Sequence, residues 1–269
     1  MGRLIGYVAN RSDRLAAALH QERKAVTPPP ATTPTGWGLG FYQNGEVLHK
    51  KRPQLDPKGF DWEQVAHDVH SDCVVLHLRQ PTVGDFRTAN THPFRMRRWL
   101  FAHTGTLSRF EAIEDAIRDS LPDFLARNVR GATDSELFFH VILSFLHDHG
   151  QLDQQEADPV AVAKSIRSAI SLVDRLGAEV RAEPSTLNSV LTNGNVLFGI
   201  WRGGPMAYVE RRGLHDPPDD DIQAKPGTPN VLRYAMVVGG VSDIADYVDV
   251  PENGLVVVNR DLKVQTHEL

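Results

Sequence analysis

The side chains able to do chemistry are twelve histidines, one cysteine and scattered acids and bases, and few of them fall into a familiar reactive pattern. No G-x-S-x-G elbow, Walker A loop or H-E-x-x-H helix is present. Gly36-Trp37-Gly38-Leu39-Gly40 has the glycine density of a phosphate-cradling loop, but it leads into a strand pattern, whereas a dinucleotide loop opens a helix. His67 and His70 can share a helical face, and His147 and His149 lie close in sequence. No carboxylate or cysteine completes a metal-ligand spacing around either pair, so solvated helix ends account for them and no metal or other cofactor is expected. Lys50-Lys51-Arg52 and Arg95 with Arg97-Arg98 are basic clusters without aromatics spaced to stack bases. The only thiol, Cys73, can form neither an internal disulfide nor a cysteine-rich zinc site.

The elements that must position any reactive group separate cleanly. Arg3–Ala9 has strand character, and a helical segment covers Ser12–Lys24. Trp37–Gln43 and Glu46–Lys50 flank Asn44-Gly45, a strong two-residue hairpin signal. Cys73–Arg79 alternates, with Val74, Leu76 and Leu78 on one face and Cys73, Val75, His77 and Arg79 on the other. That second face turns polar towards its C-terminal end. Trp99–His103 reads as a strand ending at Thr104-Gly105. Amphipathic helices follow at Phe110–Ser120, Asp134–His149 and Val160–Leu176. Leu187–Thr192 and Val196–Trp201 flank Asn193-Gly194 as a second hairpin, which Met206–Arg211 is placed to extend. Tyr234–Val238 and Leu255–Asn259 complete the strands. Strands, then helices, then strands predict an α+β architecture of two antiparallel sheets between helical layers.

The 269 residues, 41% hydrophobic and 23% charged, suffice for a large core and exclude a mainly disordered chain. A net charge of −5 supplies no overall basic field for nucleic acid. No apolar run approaches the ~20 residues that span a bilayer, so no membrane association is expected. A lone cysteine fits a reducing, cytoplasmic compartment. Two proline-rich stretches, Thr27–Thr35 and His215–Pro229, read as surface loops, the second carrying the solvated acidic run Asp219-Asp220-Asp221. Neither marks a domain linker, so a single domain over residues 1–269 is expected.

Four segments carry more information together than singly: MGRLIGYVAN, GWGLGFYQNGEV, LHLRQPTVGDF with NTHPF, and FAHTGTL with TDSE. In that order and spacing the chain resembles the class II glutamine amidotransferases, in the stand-alone branch of YafJ-like and ergothioneine-biosynthesis amidohydrolase proteins. The resemblance runs over most of the chain, including LNSVLTNGNVLFGI and PENGLVVV. It implies the N-terminal-nucleophile fold, a four-layer αββα sandwich. It also implies a chemistry in which Met is removed, a cysteine thiolate attacks the side-chain amide of glutamine, and water resolves the thioester. On this pattern Arg79 matches the arginine that pairs with the substrate α-carboxylate, as a guanidinium fork suits a planar carboxylate. Asp134 matches the acid that holds the α-ammonium, although Thr133-x-x-Glu136 is also a capping box. Gly105 matches the glycine whose N–H faces the oxyanion. Trp37 and Gly38 match the family's Gly-Trp-Gly element, with Trp37 either a packed tryptophan or a substrate contact. His92 either organises its loop or touches ligand.

Two departures fall on the reaction itself. Position 2 is Gly2 where the family has cysteine, and Thr104 stands where the pattern Ala-His-Asn-Gly has the asparagine that donates to the oxyanion. Loss of a nucleophile costs on the order of 10⁴ to 10⁶ in turnover, and loss of one oxyanion donor about 10² to 10³. The expectation is a catalytically silent relative that keeps a pocket for glutamine, glutamate or a γ-glutamyl compound, or that acts as a non-catalytic protein partner. The alternatives are an active amidohydrolase or amidotransferase using a substitute nucleophile, such as Thr104 assisted by the Gly2 α-amine, and an engineered inactive variant. Cys73, roughly 20 Å along its strand from Arg79, is expected to be a small buried hydrophobe.

Overall fold

The computed structural model describes residues 2–28, 35–54, 61–79, 85–215, 229 and 231–269. Most of both proline-rich stretches, with the acidic run, and Met1 lie outside them. The chain begins with β1 (Arg3–Ala9), α1 (Leu15–Gln21), α2 (Arg23–Val26), β2 (Gly36–Gln43), β3 (Glu46–Arg52), α3 (Trp62–Ala66) and β4 (Cys73–Arg79). It continues through β5 (Phe94–Met96), β6 (Trp99–Thr106), α4 (Phe110–Asp119), α5 (Asp123–Ala126), α6 (Asp134–Asp148) and α7 (Pro159–Glu179). The last elements are β7 (Thr186–Thr192), β8 (Val196–Ile200), β9 (Met206–His215), β10 (Val231–Gly239), β11 (Val248–Asp249), β12 (Gly254–Asn259) and β13 (Val264–Glu268).

Among the described residues the strands form two sheets, ordered β11-β9-β10-β1-β4-β2-β3 and β13-β12-β8-β7-β6-β5. Pairing is antiparallel throughout. Three apolar clusters fill the spaces between layers. Val74, Leu76 and Leu78 face α1 and α3 on the outside of the first sheet. Trp99, Phe101, Leu187 and Phe198 face α4, α6 and α7 on the outside of the second. Cys73 and Val75 meet Leu100, Ala102 and Val190 between the sheets. The alternation of β4 therefore divides one strand between two cores, and the result is the four-layer αββα sandwich.

The Asn44-Gly45 turn forms as expected, with φ of +53° and +79°. Met206–Arg211 differs from expectation. It does not extend the β7–β8 hairpin but forms β9 in the other sheet, between β10 and β11. Asn188 redirects the chain there: its side chain accepts from Arg202 N at 2.7 Å and donates to Gly204 O at 2.7 Å. The predicted helix over Ser12–Lys24 is broken at Glu22, whose backbone (φ −94°, ψ 17°) separates α1 from α2.

Glu22 is buried and ties this helical layer to the sheet. It accepts from Arg211 Nε at 2.8 Å, Tyr234 Oη at 2.7 Å and Tyr247 Oη at 2.9 Å. Burial opposes its ionisation, but the hydrogen bonds from Arg211, Tyr234 and Tyr247 outweigh that penalty and hold the carboxyl below its usual range. Glu22→Ala would strand the guanidinium and two phenols. Urea unfolding should show a loss of about 3–5 kcal/mol, and a loss under about 1 kcal/mol would contradict this role.

Candidate active site

Antiparallel register brings the sequence-derived residues to one end of the sandwich. Arg3 pairs with Leu78, so one residue earlier Gly2 comes level with Arg79, and Arg79 pairs with Gly36 on its other side. Gly2 and Arg79 are both buried. Arg79 lies on the same pleat as Cys73 and Val75, facing the second sheet. Its Nη1 donates to Asp85 O at 3.1 Å, and its guanidinium sits 5.6 Å from the Phe86 ring centroid.

From the opposing sheet, Thr104 reaches across the interlayer. Its Oγ1 is 3.1 Å from His77 Nε2, a hydrogen bond whose direction follows the imidazole tautomer. His77 is a residue of this candidate site that no motif marks, although strand alternation puts it on the face of Arg79. The His77 and His92 rings lie 4.3 Å apart, and His92 packs its ring edge-on to Phe94 at 4.6 Å. Among the described residues, His77 Nδ1 and both ring nitrogens of His92 are buried without hydrogen-bond partners. Burial, reinforced by His103 and Arg79, pushes His77 down to about 3, and burial with the neighbouring His77 takes His92 well below the ordinary histidine value. Both rings are therefore neutral at physiological pH.

Gly38 belongs to this site through its missing side chain. It pairs with both His77 and Lys51, and a Cβ built on it would fall 1.8 Å from His92 O. Gly105 is similar, since a Cβ there would fall 2.0 Å from Thr186 O. Trp37 lies on the opposite pleat, partly buried and packed against the outer cluster with α1.

Asp134 opens α6 beside the end of β6. Its Oδ2 accepts from Leu107 N at 2.9 Å, and its Oδ1 from Ser135 N at 2.8 Å. Ser135 Oγ also donates to Oδ1 at 3.3 Å, so of a carboxylate's roughly four acceptor positions about one remains open. Thr133 caps the helix by accepting from Glu136 N at 3.2 Å. The reciprocal half of the predicted capping box is absent, because Glu136 reaches back to Arg130 N at 3.0 Å and Gly131 N at 2.6 Å. Ser135 meets His103 Nδ1 at 2.8 Å, which locks α6 against the outer face of β6. A cavity of about 570 Å³ opens beside Thr106, Leu107, Phe110 and Ala132.

The remaining candidates lie elsewhere. Cys73 is buried between the sheets, 3.4 Å from Thr192 Oγ1, and burial pushes its thiol up to about 11. His67 bonds exposed Asp68, and His149 bonds Ser165. Among the described residues no helix is long and apolar enough to cross a membrane.

Comparison with known families decides the kinship of this arrangement. The profile of the class II glutamine amidotransferases matches residues 1–238. The chain belongs to the class II glutamine amidotransferases. Among curated relatives of this family member, a probable glutamine amidotransferase of Saccharomyces cerevisiae, DUG3, is 30% identical over 60% of this chain and 49% of its own length. The putative glutamine amidotransferase YafJ of Escherichia coli is 28% identical over 61% and 58%. A gamma-glutamyl-hercynylcysteine sulfoxide hydrolase of Mycobacterium tuberculosis is 31% identical over 28% and 32%. The matches thus span about half the length of the first two relatives. A glutamine aminotransferase class-II domain protein of Silicibacter pomeroyi superposes with a TM-score of 0.63 at 17% identity, over 99% of this chain and 98% of that one. The glutamine phosphoribosylpyrophosphate amidotransferase of Bacillus subtilis gives 0.59 at 11% identity, over 99% and 49%. At such identities the likeness establishes the fold of the amidotransferase layer, the N-terminal-nucleophile sandwich.

The neutral histidines make stability depend on pH in a defined direction. The unfolded chain binds a proton at His77 below about pH 6.5, while the folded chain refuses it until about pH 3. Stability from this group is complete above the unfolded value and is lost as pH falls. His77 alone should remove about 1.4 kcal/mol between roughly pH 7.5 and 5.5. Urea unfolding at both pH values should show this loss, and His77→Gln should flatten it. An unchanged pH slope in the variant would contradict the assignment.

Proposed function

We propose that this class II amidotransferase is catalytically silent and binds glutamine, glutamate or a γ-glutamyl compound, or serves as a non-catalytic partner in a complex. The observation that carries the reading is the contrast at one end of the sandwich. Gly2 has no side chain at the position where the resemblance puts the attacking thiolate, while Arg79 beside it remains buried and oriented. Thr104 adds a second loss, because a rotating hydroxyl engaged with His77 replaces a planar amide donor. The nucleophile alone is worth about 10⁴ to 10⁶ in turnover, so the family reaction is reduced to background whatever the oxyanion site retains. Arg79, Asp134 and Gly105 then serve as clamps without chemistry, with the α-carboxylate on Arg79 and the α-ammonium on Asp134.

One observation favours a second reading. The 3.1 Å contact between Thr104 Oγ1 and His77 Nε2 has the spacing of a hydroxyl nucleophile and its base, a more direct route to substitute chemistry than the Gly2 amine. Two features weigh against it. An imidazole pushed down to about 3 is a poor proton acceptor at neutral pH, and His77 Nδ1 has no carboxylate to stabilise the imidazolium.

Binding is checked by thermal denaturation with L-glutamine and L-glutamate at millimolar concentration. A ligand at ten times its dissociation constant adds about 1.4 kcal/mol, or roughly 3–6 °C for a chain of this size. Folded Arg79→Ala, compared with its own unliganded melt, should show no rise. Absence of a shift with either amino acid would remove the binding reading.

A further inference from the structure

Strands β2, β4 and β6 each run from the candidate active site to the opposite end of the sandwich, where a second cavity of about 560 Å³ lies. It collects the β2–β3 turn, Asp72 ahead of β4, Arg98 ahead of β6, the β7–β8 turn and Arg260 after β12. Seven residues of β4 separate Asp72 from the far side of Arg79, so the two sites stand roughly 20 Å apart.

The charged lining of this cavity is Arg98, Arg260 and Asp72, with His70 at its rim. Arg260 Nη2 is paired with Asp72 Oδ1 at 3.0 Å. Arg98 is different. Among the described residues its guanidinium makes no ion pair, and its Nε is buried without a hydrogen-bond partner. Two guanidinium groups against one carboxylate leave one uncompensated positive charge, in a chain whose net charge is −5. A buried donor without a partner is uncommon in folded proteins and unfavourable unless something else satisfies it. The backbone beneath Arg98 is also held firmly. Tyr42 Oη donates to Arg98 O at 2.6 Å and lies 2.9 Å from Thr192 O, bridging the two sheets below the cavity. Asn195 at the β7–β8 turn adds an amide to the wall.

We propose that this cavity is a second binding site, for a small anion carrying a phosphate or carboxylate group, with Arg98 as its principal contact and Arg260 as a second. A guanidinium fork matches either oxyanion in a bidentate fashion. Lining amides supply the neutral hydrogen bonds that orient the rest of such a molecule. The site is independent of Arg79 and of Gly2.

The test uses the full chain with inorganic phosphate and with citrate as probes, at constant ionic strength so that general screening is held fixed. The proposal expects a saturable rise in melting temperature with at least one probe. That response should weaken at least tenfold in apparent affinity in Arg98→Gln and fall in Arg260→Gln, while Arg79→Ala keeps it. A response to phosphate alone identifies a phosphorylated ligand, and one to citrate alone a carboxylate. If neither probe gives a saturable response, if folded Arg98→Gln responds like the parent, or if Arg79→Ala loses the response, the proposal is overturned.

Discussion

A contact between two sheets, His77 Nε2 against Thr104 Oγ1 at 3.1 Å, is the constraint from which the candidate site takes its shape. Sheets in a sandwich normally stand about 10 Å apart, separated by interdigitating apolar side chains. At this end of the interlayer a polar pair takes the place of that filling, and the imidazole is kept neutral by its burial. Glycine makes the neighbouring approach possible: Gly38 admits the His92 carbonyl and Gly105 admits that of Thr186. The polar end of β4 is thereby held against β6, with Arg79 and Gly2 level with each other beyond it.

This arrangement separates the duty of folding from the duty of reaction. Gly2 sits at the edge of β1, before the strand begins to contribute Leu4 and Ile5 to the cores. A glycine there opens no cavity in the apolar layers, so the sandwich is compatible with the proposed absence of a nucleophile. Thr104 differs, because its hydroxyl still bridges the sheets. Where the family resemblance leads one to expect asparagine, this chain has a threonine with a structural partner, His77.

Much of this layout was legible in the residues. The alternation of Cys73–Arg79 predicted which side chains face which core, and Asn44-Gly45 announced its hairpin. Of the edge strands only β3 was legible, through its hairpin turn: β13 (Val264–Glu268) is largely exposed and polar, and β5 and β11 are only three and two residues long, so none of these three carries an apolar pattern. Nor does alternation say which sheet a strand joins, and the placement of β9 depended on the Asn188 side chain, a contact across 14–16 residues. At the site, the family pattern singled out Arg79 and Asp134 as ligand clamps, which strand and helix patterning alone does not do, and the pleat puts Trp37 on the outer face. His77 carried a signal in its strand position, and only the opposing sheet supplied its partner. The second cavity had no motif at all, because its lining is gathered from seven separate segments.

The central claim is that the amidotransferase site lacks its reactive group while the rest of the pocket persists. Glutamate and ammonia release from glutamine, measured side by side on the parent chain and on Gly2→Cys/Thr104→Asn, tests it most directly. The account predicts background release by the parent and at least about a hundredfold more by the double variant, since a restored nucleophile is worth on the order of 10⁴ or more. Steady release by the parent that disappears in Thr104→Ala, or a well-folded double variant that stays at background, would contradict it.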